Sequence, residues 1–159
     1  MQSITNGQLS VVSCFSKRSL LDLTKEDEMA RTNFERLRVY QLSEKLADQI
    51  WEVVLGWNNF ARDTVGKQVV RSADSIGANV SEGSGRGRFL DNKRFVRMAR
   101  GSLNETQHWL RRAFKRNLLT KKQIDDLRPL IDELSPTLNA YLKSIGESPM
   151  ARARKLKSN

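Results

Sequence analysis

Apolar residues return at steps of three and four through four successive stretches of this chain, and that spacing constrains the fold more than any other feature. Val39, Leu42, Leu46, Ile50, Val53 and Trp57 form the first row, and Val65, Val69, Ala73, Ile76 and Val80 the second. Phe95, Val96, Ala99, Leu103, Thr106, Leu110, Ala113 and Phe114 form the third. Ile124, Leu127, Ile131, Leu134, Leu138, Tyr141 and Ile145 form the fourth. A helical turn of about 3.6 residues gathers each row on one face, and no stretch shows the strict alternation of a half-buried strand. Four amphipathic helices with short connections predict an all-α protein, an antiparallel up-down-up-down four-helix bundle.

The residues between the rows place its boundaries. The first helix is expected from Phe34, and Trp57-Asn58-Asn59-Phe60 reads as the first turn. The second helix is expected from Asp63 or Thr64 and should stop in Gly83-Ser84-Gly85-Arg86-Gly87, where glycine permits left-handed backbone. The third should run from Phe89 to Arg116, with Asn117 capping its end. Thr120, followed three positions later by Gln123, is a capping-box signature for the fourth, which Gly146 should stop. Pro129 and Pro136 fall inside that last helix and predict a kink or a break, because proline removes a hydrogen bond and crowds the preceding turn.

Outside the bundle, assigned to residues 34–146, two segments stand apart. Residues 1–33 are expected to be a disordered or non-native extension, with Met29 as an alternative start. The apolar run Leu9 to Phe15 is short and no Lys or Arg precedes it, which makes a poor secretory signal. Residues 147–159 form a basic tail. No stretch approaches the roughly 20 apolar residues of a membrane span. The single Cys14 cannot close an internal disulfide, which suits a reducing compartment, and a cytoplasmic protein with no membrane partner is expected.

The formal charge of +10 is concentrated. Residues 86–116 carry Arg86, Arg88, Lys93, Arg94, Arg97, Arg100, Arg111, Arg112, Lys115 and Arg116 against only Asp91 and Glu105. This segment and the tail hold the whole excess, a distribution that favours polyanions, RNA or DNA first among them. At ~100° per residue, Lys93, Arg97, Arg100, Arg111 and Lys115 share a sector of about 60°, joined by Arg86 if the helix reaches it. The stripe is expected nearly opposite the apolar row. Such a row can follow phosphates, and arginine suits bidentate phosphate contact. Arg88 and Arg94 flank it. A solvated helix face is the plain alternative, weakened by the scarcity of acids.

Catalytic chemistry finds little support. His108 is the only histidine, and no Cys/His cluster has metal-ligand spacing. The Glu-x-x-His pairs of di-metal bundles are absent, and no serine sits in a nucleophile elbow. No metal, no cofactor and no enzyme activity are expected. The glycine-rich stretch at Gly83 follows a helix instead of a strand, so it fails the context of a dinucleotide loop. Gly66, Val70, Gly77 and Ser81 form a small-residue face suited to close helix packing, within the bundle or between subunits. Asn79 and Glu82 are expected to form an ordering network with Arg100 or with the neighbours of Glu105. Trp51, Trp57 and Trp109 read as packing residues.

Several of these stretches resemble the "four helix bundle protein" family, which includes the 23S rRNA intervening-sequence proteins. The resemblance lies in Leu37-Arg38-Val39-Tyr40-Gln41, in Gln68 with Arg71, in Ser75-Ile76 with Asn79, Glu82 and Gly83, and in Ala99-Arg100-Gly101-Ser102-Leu103-Asn104-Glu105. It covers residues 34–146. It implies a bacterial antiparallel bundle, often a ring-shaped homopentamer with a basic surface, and it carries no catalytic residues. Related accessory variability determinant proteins of diversity-generating retroelements bind a reverse transcriptase and nucleic acid, which implies a second class of partner. Trp57-Asn58-Asn59-Phe60 replaces the aromatic-proline step common after the first helix of the family, and Pro129 and Pro136 are further departures.

Overall fold

The computed structural model describes residues 32–146. The expectations for the N-terminal extension, for Met29 and for the basic tail fall on residues 1–31 and 147–159, outside the described residues. Four long helices make up the described chain: α1 (Arg38–Leu55), α2 (Lys67–Gly85), α3 (Phe89–Lys115) and α4 (Lys121–Ser144). No strand occurs among the described residues. Each helix packs on the next in sequence, and α4 returns to pack on α1. The cross-contacts are those of antiparallel neighbours. Gly66, just before α2, lies against Val54 near the end of α1. Thr106 in α3 meets Ser72 early in α2. Gly146, after α4, lies against Phe89 and Lys93 at the start of α3.

The apolar rows meet in one core. Leu46, Ile50, Ile76, Leu103, Leu134 and Leu138 are fully buried within it, each worth about 1.5–3 kcal/mol relative to exposure. Three details depart from the expected rows. Val54 is buried where Val53 was expected, Leu130 joins the fourth row, and Phe114 stands 55% exposed instead of in the core. Trp57 is buried at the connection, Trp109 packs against the core, and Trp51 is 53% exposed. One polar pair sits inside. The Thr106 hydroxyl donates to the Ser102 carbonyl (2.8 Å) and lies 3.1 Å from the Ser72 hydroxyl, which donates to the Val69 carbonyl (3.0 Å). Local carbonyls satisfy both groups, so their burial leaves no orphan.

The second helical stretch begins earlier than its apolar row suggests. Asn58 caps it, its Oδ1 accepting the Ala61 N–H at 2.9 Å. An α-helical turn, Asn59–Ala61, passes into a π-helical turn, Arg62–Gly66, before α2 proper. The wider turn buries Val65 and Gly66 side by side. A Cβ on Gly66 would stand 2.8 Å from Val54 Cγ1, so the glycine permits the approach of α1.

The glycines after α2 also behave differently from expectation. Among the described glycines only Gly146 has positive φ, at 78°. Gly83 is helical and is a packing residue, because an added Cβ would meet Asn92 Oδ1 at 2.8 Å and Phe95 Cβ at 2.9 Å. The left-handed residue is Asn117 (φ 57°), which ends α3. There the Leu118 N–H bonds the Ala113 carbonyl (3.0 Å) and the Asn117 N–H bonds the Phe114 carbonyl (3.0 Å), the paired bonds of a Schellman cap. The capping box of α4 is complete: Thr120 Oγ1 accepts the Gln123 N–H (3.2 Å), and Gln123 Oε1 accepts the Thr120 N–H (2.9 Å).

No break occurs at the prolines. The helix continues through Pro129 and Pro136. Both rings are exposed, as are Asp125 and Asp132 four residues before them, whose carbonyls lose their partners. Water can reach those carbonyls, and this lowers the cost of an interior proline.

Candidate nucleic-acid interface

Helix α3 carries the charge because one flank of a long helix is left uncovered. Arg97, Arg100, Asn104, Arg111 and Lys115 are exposed along it. From Arg97 to Lys115 the row extends about 27 Å at 1.5 Å per residue. The buried row of the same helix is Val96, Ala99, Leu103, Thr106 and Ala113. With ~100° between residues, the cations stand roughly a third of a turn from it instead of opposite. The stripe therefore overlooks the seam with α4 and does not point straight outward.

That seam opens into a groove of about 660 Å³ between the later half of α3 and the earlier half of α4. Leu110, Leu119, Ile124, Leu127 and Ile131 give it apolar walls. Arg111, Lys115 and Arg128 stand at it with Asp132, while Asp125 is held by Lys121 at 3.1 Å. Nearer the other end of α3, Arg100 Nη1 reaches Asn139 Oδ1 of α4 at 3.5 Å, a long contact. Among the described residues no ion pair holds Arg97, Arg100, Arg111 or Lys115. Arg112 and Lys115 also complement the negative end of the α3 dipole, a structural use of part of this charge.

Other members of the sequence-derived set are differently placed. Arg86 caps the end of α2 and is not on α3. It pairs with Glu82 and lies over the Phe95 ring, 5.2 Å from its centroid, so it is engaged locally. Arg88 holds the N-cap position of α3 and is exposed. Lys93 is half-buried and its Nζ lies near Gly146. Arg94 is exposed, off the stripe.

The expected network of Asn79 and Glu82 with Arg100 or the neighbours of Glu105 does not form among the described residues. Asn79 Nδ2 donates to the Ser75 carbonyl (2.6 Å), and the Ser75 hydroxyl donates to the Arg71 carbonyl (2.7 Å). Glu82 is spent on Arg86, and Arg100 turns to α4. Helical spacing puts Gln68, Arg71, Ser75, Asn79 and Glu82 on the flank of α2 toward α3, and Ser102 and Glu105 on the flank of α3 toward α2. Glu105 accepts from Trp109 Nε1 at 3.3 Å. Gly101 faces open space, with no heavy atom within 4 Å of an added Cβ, so packing within one chain does not require a glycine there.

A second charged surface lies between α1 and α2, where sequence reasoning placed no site. Glu44, Asp48 and Asp74 border a hollow lined by Ser43, Ala47 and Gly77. Partial burial of the carboxyl, reinforced by the charge of Asp48, raises the pKa of Asp74, although the residue as a whole is exposed. Burial, a hydrogen bond from its hydroxyl to Glu44 and the charges of Glu44 and Glu35 push Tyr40 up to about 12. The signal was present as a surplus of acids over bases in residues 34–85, but only the pairing of α1 with α2 gathers them. No group of His, Cys, Asp and Glu among the described residues is arranged to hold a metal ion.

Comparison with known proteins agrees with this architecture. A crystal structure of a protein of unknown function from the S23 ribosomal protein family, from Bacteroides thetaiotaomicron, superposes with a TM-score of 0.59 at 24% identity. The match covers 67% of this chain and 99% of that one, and at this identity it speaks for the fold alone. No curated protein matches the chain significantly. Residues 35–140 match the family described as 23S rRNA-intervening sequence protein. More than half of the chain lies inside that match, and the chain belongs to the 23S rRNA-intervening sequence protein family.

Proposed function

We propose that this protein is a non-catalytic nucleic-acid-binding bundle that works in the cytoplasm as a homo-oligomer, holding RNA or DNA along the α3 flank. The observation that carries the reading is the run Arg97, Arg100, Arg111 and Lys115: exposed, on one flank, and without ion pairs among the described residues. Cations in a row neutralise successive phosphates and release counterions, and they read no base edges, so binding is strong at low salt and tolerant of sequence. Titration of labelled RNA and DNA at several salt concentrations tests it. Affinity that stays flat from low to moderate salt contradicts it.

A second reading, a protein adaptor of the reverse-transcriptase accessory kind, draws on the outer face of α1. Trp51 and Leu55 are one turn apart and about half exposed, at 53% and 48%, and Glu44 and Asp48 lie on the same side. Large exposed side chains of this kind mark contact surfaces, between copies or with another protein. Light scattering of the wild type and of Trp51→Ala separates these uses: a smaller assembly in the variant assigns the face to self-association.

A further inference from the structure

The end of the bundle where α3 stops has features that phosphate contact alone does not use. Phe60 stands in the first helical turn after Asn58, held there by the Asn58 cap, and its residue is 80% exposed. Among the described residues its ring touches no other ring or cation. It lines a hollow of about 460 Å³ with Ala61, Val65, Leu118 and Arg116, a size within the roughly 300–1,000 Å³ of small-molecule pockets. The Arg116 side chain has no ion pair among the described residues, and neither do Arg112 and Lys115 on the turn before it. Around the corner, Phe114 is 55% exposed at the mouth of the α3–α4 groove, beside Lys115 and Arg111. Exposed aromatic rings thus flank both sides of the most cationic end of α3.

Aromatic rings interleaved with cations are the chemistry of single-stranded nucleic acid. A flexible strand offers unpaired base faces for stacking while its phosphates meet the cations. A duplex hides those faces. We propose that this end of the bundle is a single-strand binding site, in which the Phe60 ring stacks a base over the hollow and Arg116 takes an adjoining phosphate. The occupant is single-stranded RNA or DNA, and the α3 stripe guides its backbone toward the site. The inference rests on the nucleic-acid reading above and narrows it from any polyanion to an unpaired strand.

The test uses the full chain and two fluorescent 20-nucleotide probes at low salt: a uridine-rich single-stranded RNA and a blunt RNA duplex. The single strand should bind at least ~10-fold tighter, the order of one stacked base. Phe60→Ala should weaken single-strand binding by about 5- to 100-fold, leave duplex binding unchanged and keep the helical circular dichroism and melting temperature of the wild type. Phe60→Trp should restore affinity, and the added indole should lose emission when the single strand is bound. Equal affinity for both probes, or single-strand affinity unaffected by Phe60→Ala, overturns the site. A Phe60→Ala protein with altered assembly size but unchanged single-strand affinity also overturns it and assigns Phe60 to contact between copies. If Arg97→Glu with Arg111→Glu abolishes binding of both probes while Phe60→Ala has no effect, the stripe stands and this site falls. If the wild type binds neither probe, both readings fall together.

Discussion

Glycine has opposite consequences at two positions of this chain. At Gly83 an added methyl would meet Asn92 Oδ1 and Phe95 Cβ below 3.0 Å, so Gly83→Ala should cost about 1–3 kcal/mol through overpacking of the α2–α3 seam. At Gly101 the same methyl meets nothing. A helix-interior glycine is about 1 kcal/mol worse than alanine, so Gly101→Ala should raise stability by up to that amount. Urea unfolding of the two variants reads both signs. Asp74 gives a third residue-scale expectation. Its pKa is raised in the folded state, so the folded protein holds its proton more tightly than the unfolded chain, and stability falls as pH rises from the ordinary aspartate range through the raised value. Asp74→Asn should remove that loss, unfolding at higher urea than wild type at neutral pH and with a flatter profile across the acidic range.

Secondary structure was legible where side chains act on their own backbone. The capping box at Thr120 and Gln123 was read directly, because both partners lie within one turn. Asn117 was recognised as an end, and its left-handed backbone is the form that ending takes. The start of the second helical stretch, at Asn59, was missed by several residues because the Asn58 cap precedes a turn with little apolar periodicity, and the π-helical turn at Arg62–Gly66 shifts the register. Of the kink or break expected at Pro129 and Pro136, the break does not occur, because proline cost depends on what surrounds the freed carbonyl, which a sequence does not display. Both lie on the solvent face of α4. Replacing either with alanine restores a donor and should raise the melting temperature, whereas Thr120→Ala should lower stability by about 1 kcal/mol by removing the cap. Thermal melts of the three variants check this.

Across the whole molecule, charge is sorted by side. Carboxylates gather on the α1–α2 face, while the seam between α3 and α4 is edged by cations. Since the helices pack in a ring from α1 to α4 and back, these faces lie on opposite sides of the bundle. The sequence shows the basic segment but not its orientation. The stripe was expected nearly opposite the core, but helical spacing itself sets it about a third of a turn away, and packing turns that flank toward α4, because α3 buries its row mainly against α2 and leaves the α4 side partly open. Arg86 was counted in the stripe by spacing and lost from it because α3 begins at Phe89. Phe114 was read as core, and Phe60 was read only as part of the turn between the first two helices; their exposure was invisible because an apolar residue at a helix end looks like core until its neighbours are placed.

The central claim is that the α3 flank holds nucleic acid through its cations. The most direct test is the affinity of the full chain for a labelled single-stranded RNA at 50 and 200 mM salt, beside Arg97→Glu/Arg111→Glu. Those two arginines are preferred to Arg100, which touches Asn139 across the seam. With about five phosphates neutralised, affinity should fall roughly 100-fold between the two salts. The folded double variant should bind little at either. A double variant that folds and binds like wild type, or wild-type affinity unchanged by salt, would contradict the account.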